Sequence, residues 1–233
     1  MTALNYIKKK SSVKTSKPRF LYLLLVLSLW VVVYPALYLY EESSLVNIIL
    51  GRVVVSLVPL ALLYAFDNFK SKKFLKIFFV VFSLLFIWTT SFFKNSLLDL
   101  SYSLFLISLY SYIIIFLLKY ILSSDEITAD TIYGSICVYL LIGILWAIIY
   151  ILINYNFPNS FHMPLSQNKV FDPVYFSFVT LTTLGYGDII PISNYARALS
   201  FLEAIIGTLY PAIIIARIIG VYISSKNKNS INA

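Results

Sequence analysis

Apolar residues in this 233-residue chain come in long unbroken runs separated by short polar segments, instead of in the stripes of a water-facing helix. A helix needs about 20 apolar residues to cross a bilayer. Six runs are read as spans on that ground: Phe20 to Tyr40, Leu45 to Phe66, Ile77 to Phe93, Leu100 to Leu122, Ile132 to Asn154 and Ser193 to Ile223. A seventh apolar stretch, Val174 to Thr182, is too short to cross. Asp172 before it is a good N-cap and Pro173 a favoured first helical residue, so a short helix is predicted that enters and runs into a loop. The pattern predicts an all-α membrane protein with six transmembrane helices and one re-entrant helix and loop between the last two.

The polar segments set orientation. Residues 1–19 carry Lys8, Lys9, Lys10, Lys14, Lys17 and Arg19, and residues 67–76 carry Lys70, Lys72, Lys73 and Lys76. Basic clusters beside spans mark the cytoplasmic side. Glu41-Glu42-Ser43-Ser44 has no basic residue and reads as external. Residues 123–131 hold Asp125, Glu126 and Asp130, which contribute little to orientation. Alternation then closes with both termini cytoplasmic, Lys226 and Lys228 lying in residues 224–233. The first run is longer than a signal peptide's apolar region and is followed by no small-residue cleavage site, so it is expected to be retained.

Composition agrees. Hydrophobic residues make up 60% and charged ones 12%, with a mean hydropathy of +0.87, far from soluble globular usage. The net charge of +8 lies beside the apolar runs, as an orientation signal would, and gives no reason to expect a nucleic-acid partner. Cys137 sits alone inside an apolar run and reads as a small buried residue. No cluster of His, Cys or paired carboxylates converges, so neither an enzyme nor an organic cofactor is expected.

Candidate chemistry concentrates in Thr180 to Asp188, Thr-Leu-Thr-Thr-Leu-Gly-Tyr-Gly-Asp. Glycine reaches backbone angles that other residues avoid. Gly185 and Gly187, on alternate positions, let successive carbonyls turn toward one axis, with the Thr183 hydroxyl adding an oxygen below. Such a column can replace the water around a dehydrated potassium ion. One strand supplies one wall only, so four chains must surround the axis, in a homotetramer or a mixed tetramer.

This stretch resembles the signature of the tetrameric potassium-channel family, Thr-Val-Gly-Tyr-Gly followed by Asp, with Leu184 where Val is usual. The resemblance covers about residues 130 to 223, and Glu203 to Tyr222 looks like small bacterial members without a cytoplasmic sensor. It implies K+ held by Thr183, Leu184, Gly185, Tyr186 and Gly187, with support from Asp172, Tyr175, Phe176, Thr182 and Asp188. Tyr175 and Phe176 stand where the family carries two aromatics that brace the filter. The family's frequent pore-helix Glu is replaced by Val179, which is expected to leave Asp188 without its usual partner. On this reading 20–122 is a four-helix membrane domain, 123–131 a cytoplasmic connector and 132–223 a pore domain.

Gly207 and Pro211 are four residues apart in the last span. Proline takes away the bond to the carbonyl four residues back, and glycine is a weak helix former, so a gating bend is expected at Gly207, which aligns with the family's hinge glycine. At 100° per residue, Thr208, Pro211, Ile215 and Ile219 share one face, assigned to the pore, with Ile215 or Ile219 as a closing ring. Glu203 points away from that face, toward the pore helix or a neighbouring span, and must be protonated or hydrogen-bonded there. Arg217 is expected to meet Asp125, Glu126 or Asp130. Arg52, inside the second span, is expected to snorkel or to pair with Glu41 or Glu42. His162 reads as a solvated loop residue. The fourth span has a single basic residue, Lys119, so steep voltage gating is not expected. These readings converge on a potassium-selective channel of the cell membrane. The alternatives are a weakly selective cation channel and a non-conducting regulatory membrane subunit, and no feature names a gating ligand.

Overall fold

The computed structural model of the chain describes residues 18–36, 45–65, 73–92, 96–124, 126–162 and 171–231. In chain order they form α1 (Arg19–Ala36), α2 (Leu45–Ala65), α3 (Lys73–Phe92), α4 (Ser96–Leu122) and α5 (Ala129–Asn156). Then come β1 (Phe161–His162), α6 (Phe171–Leu181), β2 (Ile190–Pro191) and α7 (Asn194–Ile231). The two short strands pair antiparallel, Phe161 opposite Pro191 and His162 opposite Ile190.

α5 is the packing centre, touching α1, α4, α6 and α7. Its apolar residues run right round the helix, the composition of a helix buried on every side. Cys137, Val138, Leu141, Ile144, Ala147 and Tyr150 are all fully buried. Its neighbours offer stripes instead: Phe20, Leu23, Leu27 and Trp30 on α1, and Tyr110, Ile113, Ile114, Leu117 and Ile121 on α4. Steps of three and four residues keep each set on one helix face. The outward faces are apolar as well, as with Phe74, Phe78, Val81 and Leu85 on α3. Such continuous exposed apolar surface suits hydrocarbon and not water, as expected of an all-α membrane protein.

Among the described residues three helices are long and apolar enough to cross a bilayer: α4 (27 residues), α5 (28 residues) and Asn194–Ser224 of α7 (31 residues). α1, α2 and α3 contribute shorter apolar stretches among the described residues, Arg19–Val33, Ile49–Ala65 and Ile77–Thr89.

Three helices start earlier than expected: α3 at Lys73 instead of Ile77, and α4 and α5 inside segments assigned to loops. α4 begins at Ser96, so Ser96 to Asp99, assigned to a loop, form its first turn, where Asp99 meets the positive end of the helix dipole. α5 begins at Ala129, inside the expected connector, because Thr128 and Thr131 cap it reciprocally. The Thr128 side chain accepts the Thr131 amide (3.2 Å), and the Thr131 hydroxyl accepts the Thr128 amide (3.4 Å). Asp130 is thereby buried in the first turn, its carboxylate 3.4 Å from the Phe20 amide of α1. In α2, Arg52 donates to the Ile87 carbonyl of α3 at 2.8 Å. Its expected partners Glu41 and Glu42 lie outside the described residues, as does Asp125.

Candidate functional site

The re-entrant helix α6 spans 11 residues and starts at Phe171, so Asp172 sits in its first turn, one residue inside the predicted cap. The last carbonyls of a helix have no partner within it, and here the following loop supplies them. Phe178 O accepts the Thr182 amide (3.0 Å), Thr180 O the Thr183 amide (2.9 Å), and Val179 O the amides of Leu184 (2.9 Å) and Gly185 (3.4 Å). The Thr182 hydroxyl turns back onto Phe178 O at 2.6 Å. The start of the loop is thus fixed by the end of the helix.

Positive φ then recurs on alternate residues: Thr183 at 60°, Gly185 at 57° and Gly187 at 79°. Leu184 and Tyr186 between them are not in that region. Alternating the hand of the backbone in this way keeps successive carbonyls on one side of an extended strand. No atom lies within 4 Å of where a Cβ would sit on Gly185 or Gly187, so φ demands glycine there and crowding does not. The positive φ of Thr183 is the feature that sequence reasoning missed. A β-branched residue at positive φ is a steric outlier costing about 1–3 kcal/mol, and the only signal for it is the alternation of Gly185 and Gly187 extended one step back. Thr182 to Asp188 are all exposed, and among the described residues the carbonyls of 182–187 accept no backbone hydrogen bond. The loop therefore offers a row of unclaimed oxygens.

Around the loop, Tyr175 of α6 donates its hydroxyl to Asp188 Oδ2 at 2.7 Å. Its ring lies nearly parallel to Tyr186 (12°, centroids 6.5 Å apart), and Phe171 stacks on its other side at 5.9 Å. With Val179 in place of the family's usual Glu, Asp188 takes Tyr175 as its partner instead. The bond to the carboxylate pushes the Tyr175 phenol up to about 12. Phe176 turns the other way, into the rings of Tyr150 (5.1 Å) and Phe161 (5.3 Å), where it anchors α6 to α5 and β1. Asp172 is buried beside it.

On α7, Glu203 faces α6 and α5, as helical geometry predicted. It is fully buried and accepts the hydroxyls of Tyr150 on α5 (2.5 Å) and Ser177 on α6 (2.6 Å). Gly207 was expected to be a free hinge; the structure gives it a second, stronger reason to be glycine. A Cβ there would sit 1.9 Å from the Leu181 carbonyl oxygen at the end of α6. α7 continues as one helix through Pro211. Ile215 and Ile219 are exposed, but so are Phe201, Leu209 and Ile213, so exposure does not single out the face assigned to them. Arg217 reaches the predicted connector, where its Nη2 donates to the backbone carbonyls of Leu122 (2.9 Å) and Ser124 (3.0 Å); of its expected partners, Asp125 lies outside the described residues. Those carbonyls belong to the end of α4, whose partial negative charge suits a cation. His162 is exposed in β1, facing Ile190 across the strand pair.

Among the described residues no group of three or more His, Cys, Asp or Glu side chains could hold a metal ion. An oxygen-rich loop, a short helix leading into it and two long flanking apolar helices thus form one continuous element, α5 to α7. A family model described as ion channel matches residues 138–224, the stretch from α5 through α7, which supports an ion-channel domain there. No curated protein and no solved structure matches the chain.

Proposed function

We propose that this chain is the subunit of a potassium-selective channel, in which four copies surround an axis and pass K+ down its gradient. The observation that carries the reading is the alternation of positive φ at Thr183, Gly185 and Gly187 with unclaimed carbonyls between them. Thr183, Leu184, Gly185, Tyr186 and Gly187 would coordinate dehydrated K+. Asp172, Tyr175, Phe176, Thr182 and Asp188 would support them. A loop that strains a threonine backbone at positive φ is costly unless its function needs that geometry, and in an assembly that shields the loop from water its row of acceptors would need a cation to complete it.

Assembly follows from the same geometry, because one loop gives only one wall and its exposed face needs other copies. On this reading the chain crosses the cell membrane six times, with the lysine-rich segments 1–19 and 67–76 in the cytoplasm. Pro211, Ile215 and Ile219 belong to the inner part of the pore, and the pore is not steeply voltage-gated.

The test is reconstitution of the purified protein into vesicles, with K+ and Na+ flux measured separately. K+ flux well above Na+ flux is expected, together with its loss in Tyr186→Asp, where a stacked ring gives way to a charge. Equal flux of both ions would favour a weakly selective cation channel, and absence of any flux a non-conducting subunit. A Tyr186→Asp protein with wild-type preference would remove the loop from the conduction path.

A further inference from the structure

Glu203 sits in the third turn of α7 with none of its surface exposed, an expensive place for a carboxyl group. Its two oxygens reach two different helices, Oε2 accepting from Tyr150 of α5 (2.5 Å) and Oε1 from Ser177 of α6 (2.6 Å). The Ser177 hydroxyl is also 2.7 Å from the Gly143 carbonyl of α5. One buried carboxyl thus gathers α5, α6 and α7 at a single point.

One turn further along, the same two helices meet again. Ser177 and Leu181 are four residues apart on α6, as Glu203 and Gly207 are on α7. The second meeting is the backbone approach of Gly207 to the Leu181 carbonyl, which also lies 3.3 Å from the Tyr139 hydroxyl. α6 is therefore held on two successive turns. The carbonyls of Phe178, Val179 and Thr180, between those two holds, are the ones that bind the amides of Thr182 to Gly185. Any roll or shift of α6 moves the loop with it.

We propose that Glu203 is a positioning residue for ion selectivity. It fixes the re-entrant helix through Ser177 and Tyr150, and so fixes where the coordinating loop begins. The proposal rests on the reading of 183–187 as a potassium filter. It assigns Glu203 no contact with the ion and no place in the conduction path.

Three variants test it, each purified, checked for tetramer by cross-linking, and reconstituted for separate K+ and Na+ flux. Glu203→Gln keeps both links, since its carbonyl oxygen accepts from Tyr150 and its amide donates to Ser177, whose own hydrogen then serves Gly143. It should hold the K+/Na+ flux ratio within about twofold of wild type. Glu203→Leu and Ser177→Ala each cut the link, and the ratio should fall at least about fivefold with assembly intact. The double variant should be no worse than Glu203→Leu alone, because both remove the same connection. Should Glu203→Leu fail to assemble, Ser177→Ala, which deletes one oxygen atom, decides alone. Cut-link tetramers with a wild-type ratio overturn the proposal. So does a Gln variant as poor as Leu, because charge and not the hydrogen-bonded link would then be at work. A wild-type protein that passes both ions equally, or neither, overturns the potassium-selective reading and this proposal with it. A selective wild type with unmoved variants overturns this proposal only.

Discussion

Gly207→Ala separates two explanations of one glycine. If the residue served only as a hinge, alanine would stiffen α7 and stabilise its helix by about 1 kcal/mol. The geometry predicts the opposite sign. The new methyl carbon would lie 1.9 Å from the Leu181 carbonyl oxygen, and ordinary contact begins near 3.4 Å, so α6 and α7 must part by about 1.5 Å along that line. The obstacle is backbone, held by the turn into the loop, and cannot swing aside. Overpacking of this kind costs about 1–3 kcal/mol, which outweighs the propensity gain. Gly143→Ala is the control. Its Cβ would come 2.7 Å from the Phe178 ring, the far end of a side chain that can rotate. Thermal unfolding of the purified proteins, paired with K+ and Na+ flux, reads both effects. Gly207→Ala should melt lower than Gly143→Ala and lose K+ preference. A Gly207→Ala protein as stable and selective as wild type would refute the close-approach argument and restore the hinge.

Three further expectations follow from individual contacts. Tyr175→Phe removes the donor to Asp188, worth about 1 kcal/mol in so open a position, and K+ conductance should decay faster during sustained flux; unchanged decay would make the bond incidental. In the wild type that bond is fully present below the phenol's ordinary value and is lost only as pH rises through about 12, so titration from pH 7 to 10 should leave the decay unaltered, and an alkaline acceleration would contradict it. Arg217→Ala removes two bonds to the end of α4 and should lower the melting temperature by about 2–4 °C; no shift would mean that the contact adds nothing. Voltage should have little effect, because Lys119 is the only basic residue of α4 and Arg52 is bonded to the Ile87 carbonyl. With about 2.3 kcal/mol per charge per 100 mV, a steep conductance curve over a sweep of about 200 mV would require a sensor that these residues do not supply.

The membrane class and the position of the loop were legible because both are written in local composition. Apolar run length gave the long helices, and Gly185 and Gly187 marked the loop. Helix starts at Ser96 and Ala129 were missed because polar residues such as Asp99 and the Thr128–Thr131 pair look like loop while serving as first turn and cap. Thr183 was read only as a hydroxyl donor of oxygen, because a β-branched residue carries no local signal for positive φ. Gly207 was ambiguous for a different reason. A glycine in a helix reads the same whether it is there to bend or to admit a neighbour, and the neighbour, Leu181, is set by tertiary packing. The direction of Glu203 followed from helical geometry alone, but its partners Ser177 and Tyr150 did not. For Asp188, attention to the family's usual partner position hid the donor actually used, Tyr175.

Where α7 can bend follows from where it is tied. Glu203 is hydrogen-bonded to α5 and α6, Gly207 is pressed on Leu181, and Tyr210 donates to the Ser135 carbonyl of α5 at 2.7 Å while stacking on Tyr139. These ties fall on successive turns from 203 to 210. Beyond them, up to residue 224, only Ile214 and Val221 are buried, by apolar contacts that have no fixed direction, and half-buried Arg217 bonds to the carbonyls of Leu122 and Ser124 at and just past the end of α4. Pro211 stands at the boundary and frees the Gly207 carbonyl from its helical partner. A bend centred on Pro211 would move Ile215 and Ile219 and leave Glu203, Gly207 and the loop where they are. A bend centred on Gly207 would have to break the contact with Leu181 and drag Tyr210 from Ser135. On the channel reading, opening therefore belongs to the segment after Tyr210, and the segment before it belongs to the fixed frame of the filter.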